Sequence, residues 1–346
     1  MKTIRTIAGI VLIASIAILH SCSTRSVSMQ VLVPAAITIP QDINSIAILN
    51  RSLPGKDAEF INVLEGFITG ESVMADREGS FNCIRGVESR VNTSPRLKAF
   101  ALETDTYRGT GTRQFPEQLD WETVNSLCAQ YKVDAILALE TFDSDFSLHK
   151  NTSKYKTKVN GREVEKTEYH AKLRVNVNSG WRLYDNIHRK LIDQVNFADS
   201  KEWEGTGDNE KAALNNLPSK RHTINESGNY SGIRIADRIT PNWHTVNRPY
   251  FVRGKEFKDA KKQVKYRNWD AAIASWKELT RNADPKIAGR ACFNMAVAAE
   301  QKGDIEAAIS WADKAMKEYH IGKARHYSDE LYKRKSDELL LKEQMK

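Results

Sequence analysis

From Tyr169 to Leu183 the chain alternates. Tyr169, Ala171, Leu173, Val175, Val177, Trp181 and Leu183 are apolar, while Lys172, Arg174, Asn176, Asn178 and Arg182 stand between them. Successive side chains of a strand point to opposite faces, so this run predicts one long strand with a buried face and a wet one. Upstream, Lys156 to Thr167 brackets Asn160-Gly161, a dipeptide that accepts the positive φ angles of a tight hairpin turn. Downstream, Asp185 to Lys190 turns the chain and Leu191 to Phe197 returns as the antiparallel partner.

The preceding segment reads differently. Ser45 to Asn50 and Val133 to Leu139 are short apolar runs bounded by turn residues, as buried strands are, and Arg96 to Leu102 is a third, short strand. Helical spacing is present from Asp57 to Ile68 and from Val73 to Val91, and Asp120 caps a helix carrying Trp121, Val124, Leu127 and Cys128. Two more helices are expected at Asn209 to Asn216 and Glu226 to Ile239. The expected fold class is α+β: a mixed α/β sandwich-like domain over residues 41–247 with antiparallel strands, followed by an all-α domain over 248–346. The phrases Val133-Asp134-Ala135-Ile136 and Trp181-Arg182-Leu183-Tyr184-Asp185, the latter followed by Lys190-Leu191-Ile192-Asp193, carry a resemblance over about residues 30–240. This region resembles the periplasmic α/β domain shared by curli-secretion-channel lipoproteins, penicillin-binding-protein activator lipoproteins and the N-terminal domain of the Tol translocation protein. The resemblance implies a non-enzymatic assembly or recognition domain.

After Pro249 one phrase is read twice. Asn268-Trp269-Asp270-Ala271-Ala272-Ile273-Ala274-Ser275-Trp276 returns as Asp304-Ile305-Glu306-Ala307-Ala308-Ile309-Ser310-Trp311. Repeats of about 34 residues are the mark of tetratricopeptide helix pairs. Ala260, Ala272, Ala296, Ala308 and Ala315 stand where such helices need small residues to cross closely, and Gly303-Asp304 marks a turn. Arg267 replaces the usual turn glycine and Leu279 the usual final alanine, and Lys323 to Lys346 would cap the array. The clamp that some of these repeats use for a peptide carboxylate is not supported, because Phe257 stands for its lysine and Lys261 for its asparagine, although Asn294 matches. Lys261, Lys265, Arg290 and Asn294 are the candidate partner-binding residues, forming a basic surface suited to an acidic partner.

The N-terminus supplies an address. Lys2 and Arg5 precede an apolar run from Ile7 to Leu19, and Leu19-His20-Ser21-Cys22 resembles a lipobox, with His20 a departure from its usual small residue. The resemblance implies a signal peptide over residues 1–21, acylation of Cys22 and a tether over 22–40. Ser23 to Ser28 carries no acidic cluster, which by resemblance to other Gram-negative lipoproteins places the protein on the outer membrane facing the periplasm. Losing Lys2 and Arg5 lowers the net charge of +8 by two, and no Arg-rich, aromatic-interleaved stripe points to nucleic acid. Of the remaining cysteines, Cys83 and Cys128 could pair, but Cys83, Cys128 and Cys292 all sit at apolar helical positions and read equally well as small buried residues.

Catalytic patterns are weak. The histidines lack zinc spacing, and no metal or cofactor is expected. Gly109-Thr110-Gly111-Thr112 reads as a loop. Glu103, Asp105, Asp143 and Asp145 are the carboxylates a glycan hydrolase would use, and Lys154 to Thr167 is too charged to serve a membrane channel. The junction phrases Arg238-Ile239-Thr240-Pro241-Asn242-Trp243 and Arg248-Pro249-Tyr250-Phe251 make the whole similar to uncharacterised Bacteroidota lipoproteins that join the two modules. The expected function is a lipid-anchored, non-catalytic interaction scaffold or assembly factor with an unidentified envelope protein partner; an envelope hydrolase and a homo-oligomeric secretion component are the alternatives.

Overall fold

The computed structural model describes residues 23–53, 70–104, 106–111 and 113–346. The expected signal peptide over 1–21, Cys22, the helix expected at 57–68, Asp105 and Thr112 lie outside the described residues. Two compact units form, one from residues 34–242 with 343–346, the other from the strand ending at Val33 and residues 243–342.

The α/β unit holds a five-stranded sheet, made of β2 (Ser45–Asn50), β3 (Lys98–Ala101), β4 (Ala135–Val159), β5 (Arg162–Asp185) and β6 (Lys190–Gly207). Their order is β3-β2-β4-β5-β6; β2 runs parallel to β3 and β4, and the last three strands are antiparallel. Alternation then sorts the side chains. Ile46, Ile48, Ala135, Leu137 and Leu139 bury against α1 (Gly70–Asn92) and α4 (Lys220–Ile239) through Cys83, Ile84, Val87, Ile224 and Ile235. Ala47, Leu49, Ile136 and Ala138 face the other way, onto Val124, Leu127 and Cys128 of α2 (Trp121–Tyr131). Asp120 caps α2 by accepting from the Thr123 N–H at 2.7 Å, and Ser219 starts α4 nearly two turns before the expected helix.

Helices α1 and α4 meet through glycines. A Cβ on Gly86 would strike the Asn229 carbonyl, and one on Gly232 the Cys83 carbonyl. Only backbone-to-backbone packing fits here.

The strands outrun the sequence reading. The expected hairpin at 156–167 is where β4 turns into β5, and its second arm is continuous with the alternating strand at 169–183, paired with β4 from Val159↔Arg162 to Ala135↔Asp185. Asn160 (φ 51°) and Gly161 (φ 79°) make the turn. A register shift between Leu139 and Thr141 carries β4 past the expected end at Leu139, and α3 (Glu210–Asn215) follows β6.

In the second unit β1 (Thr24–Val33) pairs with β7 (Asn242–Phe251). This corrects the expected tether over 22–40, and β7 was not foreseen. The reason is amphipathic: Met29 and Val31 are buried beside Phe251, while Ser28 and Gln30 bond across to Asn247 and Thr245. Helices α5 (Lys258–Lys265), α6 (Trp269–Leu279), α7 (Pro285–Gln301), α8 (Ile305–Lys317) and α9 (Gly322–Gln344) follow, with α5 packed on α6, α6 on α7 and α7 on α8. Ala260, Ala272, Ala296, Ala308 and Ala315 are fully buried, as close crossing requires. Gly303 turns at φ 81°, and Arg267 adopts the same left-handed region at φ 59° without glycine.

Candidate functional site

Beyond Tyr169, where pairing with β6 ends at Gly207, β4 and β5 continue alone as a two-stranded arm. Every residue of 150–167 is exposed except Thr157, which is half-buried. Lys154 bonds Glu165 across it at 2.9 Å, in solvent. At its base a cavity of about 290 Å³ is lined by Lys150, Tyr169, His170 and Glu210. His170 Nε2 lies 2.7 Å from Ser153 Oγ and Nδ1 lies 3.4 Å from Glu204. The two residues sit on facing strands, with Ser153 paired to Glu168 and His170 to Asn151.

At the register shift in β4 the Glu140 carboxylate is completely buried. It accepts from Arg51 Nη1 at 2.7 Å and from the Tyr184 hydroxyl at 2.9 Å, with Arg182 at 3.6 Å. Burial raises the Glu140 pKa, with Arg51 opposing, and burial pushes the Tyr184 phenol to about 12. The guanidiniums reach on to the Glu117 and Pro116 carbonyls, and Arg182 covers the Phe115 ring at 4.7 Å. The network therefore fastens the loop preceding α2 onto the sheet. The sequence held a signal for it, a glutamate ending an apolar strand and an arginine ending another, which the expected strand boundaries cut away.

Of the hydrolase carboxylates, Asp143 and Asp145 share one face of β4 and both pair with Arg113, at 2.6 and 2.7 Å. Asp76 lies beside them, accepting from the Ser144 N–H at 2.9 Å and from its hydroxyl. Burial, assisted by the charges of Asp143 and Asp145, raises Asp76 to about 6. An open cavity of about 230 Å³ adjoins Arg113 and Asp143. Among the described residues Glu103 bonds to neither aspartate, and Asp105 lies outside them.

The four partner-binding candidates separate. Asn294 is wholly buried, and its side chain accepts from the Phe251 N–H at 2.7 Å and donates to the Phe251 carbonyl at 2.8 Å. Its amide is thus spent on the chain's own β7, whose last residue must satisfy its backbone somewhere. Arg290 lies over the Phe251 ring at 5.3 Å and is half-buried. Lys265 is exposed and Lys261 half-buried. Nearby, buried Glu300 accepts from Arg248 through two nitrogens, from Tyr327 at 2.6 Å and from Arg334 at 2.6 Å.

Cys83 and Cys128 are free and buried in the clusters on opposite faces of the sheet. Burial raises Cys128 to about 12 and Cys292 to about 11. Among the described residues no group of three His, Cys, Asp or Glu is arranged to hold a metal, and no helix is long and apolar enough to cross a membrane.

Residues 258–335 match a family described as domain of unknown function DUF6340. Among solved structures, a PelC dodecamer from Paraburkholderia phytofirmans is similar at 9% identity, covering 62% of this chain and 99% of that one with a TM-score of 0.23. No curated protein matches. Residues 43–251, from just before β2 to the last residue of β7, match the domain of unknown function DUF8603, and the chain belongs to that family.

Proposed function

We propose that the chain is a scaffold or assembly factor of the cell envelope, anchored by acylated Cys22 to the outer membrane, facing the periplasm and binding protein without catalysis. The arm of β4 and β5 carries this reading. Isolated two-stranded ribbons are marginal in water, and this one buries almost nothing in its own unit. Burial that would stabilise such an arm must come from another molecule. Tyr155, Val159 and Val164 are its exposed apolar contacts, each more than 40% accessible. The helical unit, read as tetratricopeptide-like, supports the same class of role, since its buried alanines build stacked helices and leave charged outer faces.

The test is photocrosslinking in cells with a reactive residue at Tyr155 or Val164, beside a position on α9. A discrete second protein crosslinked from the arm is the expected result; an arm that yields no adduct would sink the proposal. Mass spectrometry of the N-terminal peptide checks the anchor, with acyl mass expected on Cys22 and none on a Cys22→Ser chain.

A further inference from the structure

We propose that the segment running from Arg253 through α5 is a membrane-apposition surface that binds the anionic phosphate headgroups of the leaflet holding the lipid. The inference deepens the lipid-anchor reading and rests on it. Val252 donates its N–H to the Ser23 carbonyl at 3.1 Å, and Cys22 is the next residue back, one Cα step of about 3.8 Å. The described chain is therefore held to β7 from its first residue, Ser23. Val27 and Val252 pack against the cluster that includes Ala260 and Val264 of α5. The start of β1 and α5 are therefore neighbours within one unit.

The chemistry of that neighbourhood is cationic. Arg253, Lys255, Lys258, Lys262 and Lys265 are exposed and outnumber Glu256 and Asp259. Among the described residues none of these five cations has a carboxylate partner. Ala260 and Val264 turn inward, which leaves the lysines of α5 on its outer side. Tyr266 follows at 67% exposure, with Lys265 Nζ 5.9 Å from its ring centre. An exposed tyrosine among lysines suits a headgroup layer, where the ring sits at the interface and the alkyl stems reach toward it. One acyl signal gains from a polybasic second signal, and the attraction acts within a Debye length of about 8 Å.

The test uses the full chain, extracted from expressing cells and reconstituted into vesicles of phosphatidylcholine alone or of phosphatidylcholine with phosphatidylglycerol. Amine-reactive footprinting is read lysine by lysine. Labelling of Lys258, Lys262 and Lys265 is expected to fall about fivefold or more in the anionic vesicles, and to recover in 1 M salt, where the Debye length is about 3 Å. The triple variant Lys258→Glu, Lys262→Glu, Lys265→Glu, checked for an unchanged melting temperature, should lose the protection. Equal labelling in both vesicle types overturns the proposal. So does protection that appears only when polyglutamate is added to neutral vesicles, which would assign the surface to an acidic polypeptide. Acyl mass on Cys22 is scored separately: an unacylated chain that still sediments with anionic vesicles, and not with neutral ones, refutes the anchor but not the surface.

Discussion

The side chain of Asn294 completes the main chain of Phe251, taking its N–H at 2.7 Å and serving its carbonyl at 2.8 Å. A helix thereby finishes a strand whose last residue would otherwise hold two orphaned groups. Asn294→Ala leaves both buried without partners and is expected to cost about 2–4 kcal/mol. Urea denaturation followed by tryptophan fluorescence measures this, since Trp276 lies in the same unit. A loss below about half a kilocalorie per mole would mean that the contact is dispensable.

Removing Glu140 strands two cations. Glu140→Ala should destabilise the α/β unit by about 3–5 kcal/mol, because Arg51 and Arg182 remain in place with their carboxylate gone. The double variant Glu140→Leu with Arg51→Met should recover a large part of that loss in thermal melts. No recovery would argue that shape, not charge, governs the site.

Asp76 makes stability depend on pH. Its carboxyl titrates near 6 in the fold against 3.8 when free, so the folded chain holds the proton more tightly. The stabilisation from protonation is full only below the free value of 3.8, is lost as pH rises through 6 and stays lost above it, a change of about 3 kcal/mol in all, of which about 2 kcal/mol falls between about pH 4.5 and 7.5. Melting temperatures at about pH 4.5 and 7.5 should show this difference in the native chain and less of it in Asp76→Asn. Equal pH dependence in the two proteins would contradict the assignment.

At the crossing of α1 and α4 there is no room for a methyl group. Gly232→Ala must push the Cys83 backbone away and is expected to cost about 1–3 kcal/mol. Calorimetry compares it with Gly161→Ala, which strains a φ of 79° but meets nothing within 4 Å.

Replacing residues 153–168 by Asn-Gly, so that Thr152 and Tyr169 remain the closing pair, should change stability by less than about 1 kcal/mol, as exposed ribbon contributes little. Crosslinking from the arm should vanish with it. A large loss of stability would instead give the arm a folding role.

Much of this was legible in the chain. Alternation from Tyr169 to Leu183 gave the two faces of β5, because side-chain period is a local property of extended backbone. Asn160-Gly161 announced its own turn, Asp120 its own cap, and the repeated phrase the helices from Trp269 and Ile305. The weaker predictions concerned ends. The expected end of β4 at Leu139 cut off Glu140, because a charged residue stops an apolar run in the sequence, while two arginines distant in sequence keep it inside the sheet.

Periodicity, turns, caps and the small residues at helix crossings are written in the chain, since each depends on a few neighbouring positions. Long-range packing, by contrast, settled that residues 24–33 form a strand, that Asn294 serves Phe251, and that Asp143 and Asp145 meet Arg113. Those outcomes join segments far apart along the chain. They follow from the need to satisfy buried backbone and charge wherever packing leaves a partner within hydrogen-bond reach, which no local pattern records.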